Sequence, residues 1–217
     1  MIVTRQKQAK DILETLKDKK KIFIVGCGDC ATTCQTGGEE EVRQMAVLLS
    51  KHGKTVTGSV VADDACVASK TKKALSTHRK VLEASEAVLV LACGSGVQCV
   101  KENDRFHLEV YPGCDSLFAA LVDKEGSFKE VCSACGECLL ELTEGICPIT
   151  RCSKGLLNGP CGGQDQGKCE TDKTKDCAWI LIYQKLKEKG RLENLKKSSP
   201  AKDRSKIVKP GLVRLKE

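Results

Sequence analysis

Residues 132–177, CSACGECLLELTEGICPITRCSKGLLNGPCGGQDQGKCETDKTKDC, constrain the fold of this 217-residue chain more than any other stretch. They hold eight cysteines: Cys132, Cys135, Cys138, Cys147, Cys152, Cys161, Cys169 and Cys177. Conventional core material is confined to Leu139, Leu140, Leu142, Ile146, Ile149, Leu156 and Leu157. Seven glycines and two prolines lie among the cysteines, which argues against long regular elements. So little apolar surface does not offset the ordering entropy of such a segment by burial alone. It must be crosslinked, by disulfides, by zinc or by iron–sulfur clusters.

The whole chain narrows that choice. Its fifteen cysteines fall in two sets, seven before residue 115 and eight after 131. The N-terminus, MIVTRQKQAKDILETLKDKKK, lacks an apolar run of signal-peptide length, and no run reaches a membrane span. The expected setting is therefore a reducing cytoplasm with no membrane association, where thiols bind metal instead of pairing. An odd cysteine count also fits a closed disulfide framework poorly. The formal charge of +7 would ordinarily point to an acidic partner. Twelve thiolates around three cubane clusters would bring that charge to roughly +1. Aromatic residues make up 3% of the chain, too few for a nucleic-acid stacking platform, so no nucleic-acid partner is expected.

Taken in order, the chain alternates. Residues 5–18 read as an amphipathic helix with Ala9, Ile12, Leu13 and Leu16 on one face and Thr4 as N-cap. Strands are expected at 21–25, 55–61, 87–92 and 108–111. Helices are expected at 39–52 and 69–84, with a short helix or turn before the last strand. Such alternation implies parallel pairing and right-handed crossovers. The fold class is α/β: a small, parallel-sheet, Rossmann-like N-terminal domain over residues 1–120 and a polar link at 121–131. An irregular cysteine-rich iron–sulfur domain follows over 132–195. That domain ends in a C-terminal helix at 178–189, whose inward face is Trp179, Ile182, Tyr183 and Leu186. Residues 196–217 read as a basic tail, solvated or wrapped on a partner.

Parallel topology has a chemical consequence. All strands end on one edge, where open α/β sheets bind ligands. Cys27, Cys66, Cys93 and Cys114 stand at or just past four strand ends, and Cys30 and Cys34 begin the first crossover. Thiols distant in sequence thus converge on one rim, as a third metal site requires. The rival reading is a nucleotide turn, since Gly26-x-Gly28-x-x-Ala31 follows a strand. Cysteines fill its variable positions, and Asp63 lies far beyond the usual spacing of the ribose acid, about 20 residues. His52, His78 and His107 have no second ligand or base beside them, and structural roles are expected.

In the second set, Cys132-x-x-Cys135-x-x-Cys138 with Cys147-Pro148 is similar to the ferredoxin arrangement of closely spaced thiolates plus a Cys-Pro. The run to the Cys-Pro is longer than in bacterial ferredoxins, so the pairing of ligands stays open. Two four-thiolate cubanes suit eight cysteines. Two four-thiolate zinc sites are the alternative, which would make the chain a zinc-binding structural module that scaffolds a catalytic partner. Arg151, Lys154 and Lys168 beside the cysteines are expected to raise cluster potentials.

The motifs Cys147-Pro148-Ile149-x-Arg151-Cys152-x-Lys154, Asn158-Gly159-Pro160-Cys161-Gly162-Gly163, Gly167-Lys168-Cys169-Glu170 and Cys177-Ala178-Trp179 resemble the methylenetetrahydrofolate reductase C-terminal domain family. Gly26-Cys27-x-x-Cys30-Ala31-x-x-Cys34 and Leu91-Ala92-Cys93-Gly94 are similar to the rest of the small iron–sulfur subunits of acetogen-type methylenetetrahydrofolate reductases. The resemblance implies one-carbon metabolism of the Wood–Ljungdahl kind in an anaerobe. It implies a non-catalytic electron-transfer subunit whose partner is a flavin-containing TIM-barrel catalytic subunit, one that reduces methylenetetrahydrofolate to methyltetrahydrofolate. Electrons would come from a ferredoxin or a further electron-input subunit. The expected cofactors are [4Fe-4S] clusters, two in the C-terminal domain and, from the strand-end rim, a third in the N-terminal domain; the motifs leave the number at two or three. Candidate ligands there are Cys27, Cys30, Cys34, Cys66 and Cys93, while Cys99 and Cys114 fall outside the motifs.

Overall fold

In the computed structural model, which describes residues 1–214, the chain opens on a strand, β1 (Ile2–Gln6), and not on a helix. Helix α1 is confined to Ala9–Thr15, with Gln8 at its N-cap. Thr4 caps nothing: its buried hydroxyl meets that of Thr36 at 2.6 Å. The apolar period of Ile12 and Leu16 was real, but a partner 32 residues away claimed the residues before it.

The chain then runs through β2 (Lys21–Cys27), the short α2 (Cys30–Thr33), α3 (Glu39–Lys51) and β3 (Thr55–Ala62). Next come α4 (Ala68–Thr77), α5 (Arg79–Glu83), β4 (Ala87–Leu91), α6 (Gly94–Asn103) and β5 (Glu109–Pro112). The helix expected over 69–84 is thus two helices, broken at His78. The four parallel strands lie in the order β3-β2-β4-β5. Side chains alternate across β2. Ile22 and Ile24 pack with Ile12, Leu16, Val42, Met45 and Leu49 on one face. Phe23 and Val25 pack with Leu75, Leu82 and Val100 on the other. Burying each of these removes roughly 1.5–3 kcal/mol of exposed apolar side chain from water. The result is three layers, helix, sheet and helix, as the alternating pattern requires.

Two compact units divide the chain, Met1–Phe118 and the stretch from Ala119 onward. Residues 121–131, expected as a polar link, instead carry the end of β6 (Cys114–Val122) and most of β7 (Phe128–Cys132). The two pair antiparallel from Ala119 opposite Cys132 to Val122 opposite Phe128. Asp123 closes the turn by accepting from the Ser127 N–H at 2.8 Å. Beyond it the described residues of the second unit form two α-helices, α7 (Pro148–Arg151) and α8 (Ala178–Glu188). Its buried apolar cluster is Trp179, Ile182 and Leu186. Tyr183, expected on that face, is exposed instead. The tail is not free. It turns through Leu192–Lys196 and Arg204–Ile207 and packs against its own unit. The last three positions of the tail read over 196–217 lie outside the described residues.

Candidate metal centres

The eight cysteines of the second unit sort into two groups of four. Cys132, Cys135, Cys138 and Cys147 line one cavity of about 280 Å³ together with Gly136, Glu137 and Lys202. Cys152, Cys161, Cys169 and Cys177 line another, of about 20 Å³, with Arg151, Lys154 and Glu170. The cavities divide the eight thiols in sequence order, and Cys147 lines the same one as the triplet that precedes it.

Local structure explains the grouping. Cys132 ends β7. Positive φ at Ala134 (51°) and Gly136 (77°) then curls the two-residue gaps into a loop. Cys147 is the N-cap of α7, Pro148 takes the first helical position, and Cys152 is the C-cap. Proline suits that place because its missing N–H is an orphan there in any case. One helical turn therefore joins the two sets, with Cys147 and Cys152 separated by on the order of 8 Å of helix rise. Cys177 is the N-cap of α8, and its N–H donates to the Gly167 carbonyl at 2.7 Å. The Cys169 N–H donates to the Lys175 carbonyl at 2.9 Å.

Polar groups attend the sulfurs. The Ala134 N–H donates to Cys132 Sγ at 3.4 Å. The backbone of Glu137, helped by the Lys202 ammonium, holds the Cys135 thiol below its ordinary range. The Thr171 hydroxyl lies 3.2 Å from Cys169 Sγ; with the Thr171 backbone and Ser153 it lowers that thiol to about 7. Cys161 Sγ donates to Glu170 Oε1 at 3.2 Å. Glu170 also pairs with Lys154, and Lys168 pairs with Asp176 at 2.7 Å. Two of the three cations expected to raise cluster potentials are thus matched by carboxylates. Arg151 makes no ion pair among the described residues. Within α7 the Thr150 hydroxyl is buried without a hydrogen-bond partner.

In the first unit Cys27, Cys66 and Cys93 stand near enough to act on one another electrostatically. Cys66 is pushed up by burial and then by the charges of Cys93 and Cys27. Cys30, whose thiol donates to Asp29 Oδ2 at 3.2 Å, is raised by burial, with Cys27 a lesser cause. Cys34 closes α2 and points its thiol toward the Ile2 carbonyl at 3.9 Å. Cys114 is buried in the apolar layer with Leu89 and Leu91; burial pushes its thiol up to about 12, with the charges of Asp115, Cys34 and Cys93 as lesser causes. Cys99 is buried on α6, 3.7 Å from the Thr71 hydroxyl and away from the rim.

The nucleotide reading of the Gly26 turn does not survive the fold. The helix after the turn has four residues, too short to present a phosphate site. The next one, α3, opens with Glu39, Glu40 and Glu41, whose charge repels phosphate from that terminus.

All fifteen cysteines are free thiols. Among the described residues no three His, Cys, Asp or Glu side chains close on a common point as a metal ion would require. The donor chemistry nonetheless fits thiophilic metals, since each cavity of the second unit offers four thiols and no histidine. The wider cavity has room for a cluster. The narrower one holds about one water's worth of space, so its thiols must spread to admit a cubane. Sequence reasoning passed over Glu137, Glu170 and Lys202. The first two were visible as carboxylates adjoining ligand cysteines; Lys202 is 55 residues from its nearest cysteine in the wider set and left no local signal.

Among the described residues no helix is long and apolar enough to cross a membrane. Residues 111–205 match the family model described as the methylene-tetrahydrofolate reductase C terminal. No curated protein matches the chain, and no solved structure does. The matched stretch holds both four-thiol sets, the turn of helix between them and the tail as far as Ser205. Through it, residues 111–205 are identified with the methylene-tetrahydrofolate reductase C-terminal family.

Proposed function

We propose that this chain is an electron-transfer iron–sulfur subunit serving a methylenetetrahydrofolate reductase. The observation that carries the reading is the pair of four-thiol cavities joined by one turn of α7. Cys132, Cys135, Cys138 and Cys147 would hold one [4Fe-4S] cluster, and Cys152, Cys161, Cys169 and Cys177 a second. A third would draw its four ligands from Cys27, Cys30, Cys34, Cys66 and Cys93 on the strand-end rim. Bound clusters would supply one-electron transfer, while the chain supplies the thiolates, N–H donors to sulfur and the charges around them. The flavin and folate chemistry would belong to a partner with a TIM barrel; the described residues form a four-stranded and a three-stranded sheet. A ferredoxin or a further electron-input subunit is the donor. Fifteen unpaired thiols suit a reducing, cytoplasmic setting.

A second reading rests on the narrow cavity. A space of about 20 Å³ is closer to the size of a single tetrahedral zinc than of a cubane, which would make that set a structural clip beside one redox centre. Metal analysis of anaerobically purified protein decides. About eight to twelve irons per chain, with a brown colour bleached by reductant, is the expected result. About four irons with one zinc would establish the second reading. Colourless protein without iron would overturn the relay.

A further inference from the structure

The tail beyond α8 is fastened to the second unit at two places. Asn158 Nδ2 donates to the Ser199 carbonyl at 2.8 Å, and its Oδ1 accepts from the Ser199 N–H at 2.8 Å. Three residues on, the tail converges on Glu137, which stands inside the cysteine triplet. The Glu137 carboxylate accepts from the Asp203 N–H at 3.0 Å and from the Lys206 ammonium at 2.5 Å. Asp203 in turn caps the following turn of helix by accepting from the Ser205 N–H at 2.9 Å. Gly136, at φ 77°, lies under Ile207, whose methyl would stand 2.9 Å from a Cβ placed there. The loop and the tail are shaped to each other.

The two lysines delivered by this strap differ in one respect. Lys206 meets a carboxylate, so its charge is offset. Lys202 donates to the Glu137 backbone carbonyl and makes no ion pair among the described residues; its charge reaches the Glu137 carboxylate only as a lesser influence, behind Lys206. It also lines the cavity of Cys132, Cys135, Cys138 and Cys147. A half-buried cation at that position is screened far less than a surface one. We propose that Lys202, held over the wider four-thiol cavity by the pinned tail, is the residue that raises the reduction potential of the centre bound there. This rests on the cluster reading above. One electron from the outside donor takes a four-thiolate cubane from a net charge of about −2 to −3, with no bond made or broken. A fixed positive charge favours the more negative state.

The test is a potentiometric titration of the full-length, iron-loaded chain, followed by electron paramagnetic resonance, for the natural protein, K202M and K202R. The K202M chain should keep its iron and show one centre shifted to lower potential. At a fixed potential its reduced-to-oxidised ratio should fall on the order of tenfold, ~59 mV for a one-electron couple. The other centres should not move, and K202R should restore the natural value. A K202M midpoint equal to the natural one overturns the proposal, as does a K202R chain that behaves like K202M. Selective loss of iron from K202M also overturns it, because the strap would then be a structural cover and not a source of charge. Failure of the cluster reading is separately visible, as natural protein with no iron and no signal on reduction.

Discussion

The two units of this chain solve the same problem by different means. The first buries Phe23, Ile24, Leu49, Leu89 and Leu91 between a sheet and two helix layers, and such burial alone opposes the cost of ordering. The second buries Trp179, Ile182 and Leu186 against α7 and its flanks and arranges eight thiols around two cavities. The thiols differ in the same sense. On the rim of the first unit, burial pushes Cys30 and Cys66 up. In the second, hydrogen bonds hold Cys135 and Cys169 down. Where apolar burial is plentiful, the thiols are additions to a finished fold. Where it is scarce, the thiols must carry more of the ordering, and on the cluster reading metal binding would be folding free energy.

The largest expected effect follows directly. Stripping metal from the anaerobic protein with a chelator should collapse amide protection over residues 119–214 while β2 and β4 stay protected. Hydrogen exchange read by mass spectrometry separates the two units in one experiment. Equal protection of both units after chelation would break the comparison, because the Trp179 cluster would then suffice.

How much of this was legible in the sequence follows the same division. The strands and helices of the first unit were readable because their apolar periods are local, and parallel topology alone led to the expectation that Cys27, Cys66, Cys93 and Cys114 share one rim. Its misreadings sit where a distant partner decides, as Thr36 does for Thr4. In the second unit, loops carry no period. Nothing local says that Cys147 closes the first set while Cys152, five residues on, opens the second. That outcome depends on a single turn of helix with Pro148 at its start. The tail, whose composition reads as solvated, is fixed by Glu137 and Asn158, 66 and 41 residues away in sequence. Such contacts are not encoded in composition.

Paired substitutions sharpen the partition. On the cluster reading, Cys138→Ser should cost the protein about four irons, and Cys161→Ser about four others. Combining Cys138→Ser with Cys147→Ser should cost no more than either alone, since both belong to the wider cavity. Combining Cys138→Ser with Cys161→Ser should cost about eight. Iron and sulfide analysis of the four chains gives the answer, and additive loss within one cavity would mean that the ligands cross between sets.

The smallest effect tests the comparison within the first unit, where some thiols face the rim and others belong to the core. Cys99 is buried on α6 between the Thr71 hydroxyl and the Asn103 amide, each 3.7 Å from its sulfur. Thr71 already donates to the Ala65 carbonyl at 2.8 Å, so losing the sulfur strands no polar group. Cys99→Ala should therefore leave the iron content unchanged and cost about 1 kcal/mol, as removal of a small buried hydrophobe does. Cys66, exposed at the end of β3, should behave the other way. Cys66→Ala should leave the metal-free fold at its original thermal midpoint and lower the metal held by the first unit. If Cys99→Ala lost metal and Cys66→Ala did not, the rim would not be the site, and the first unit's thiols would have to be reassigned to its helix layer.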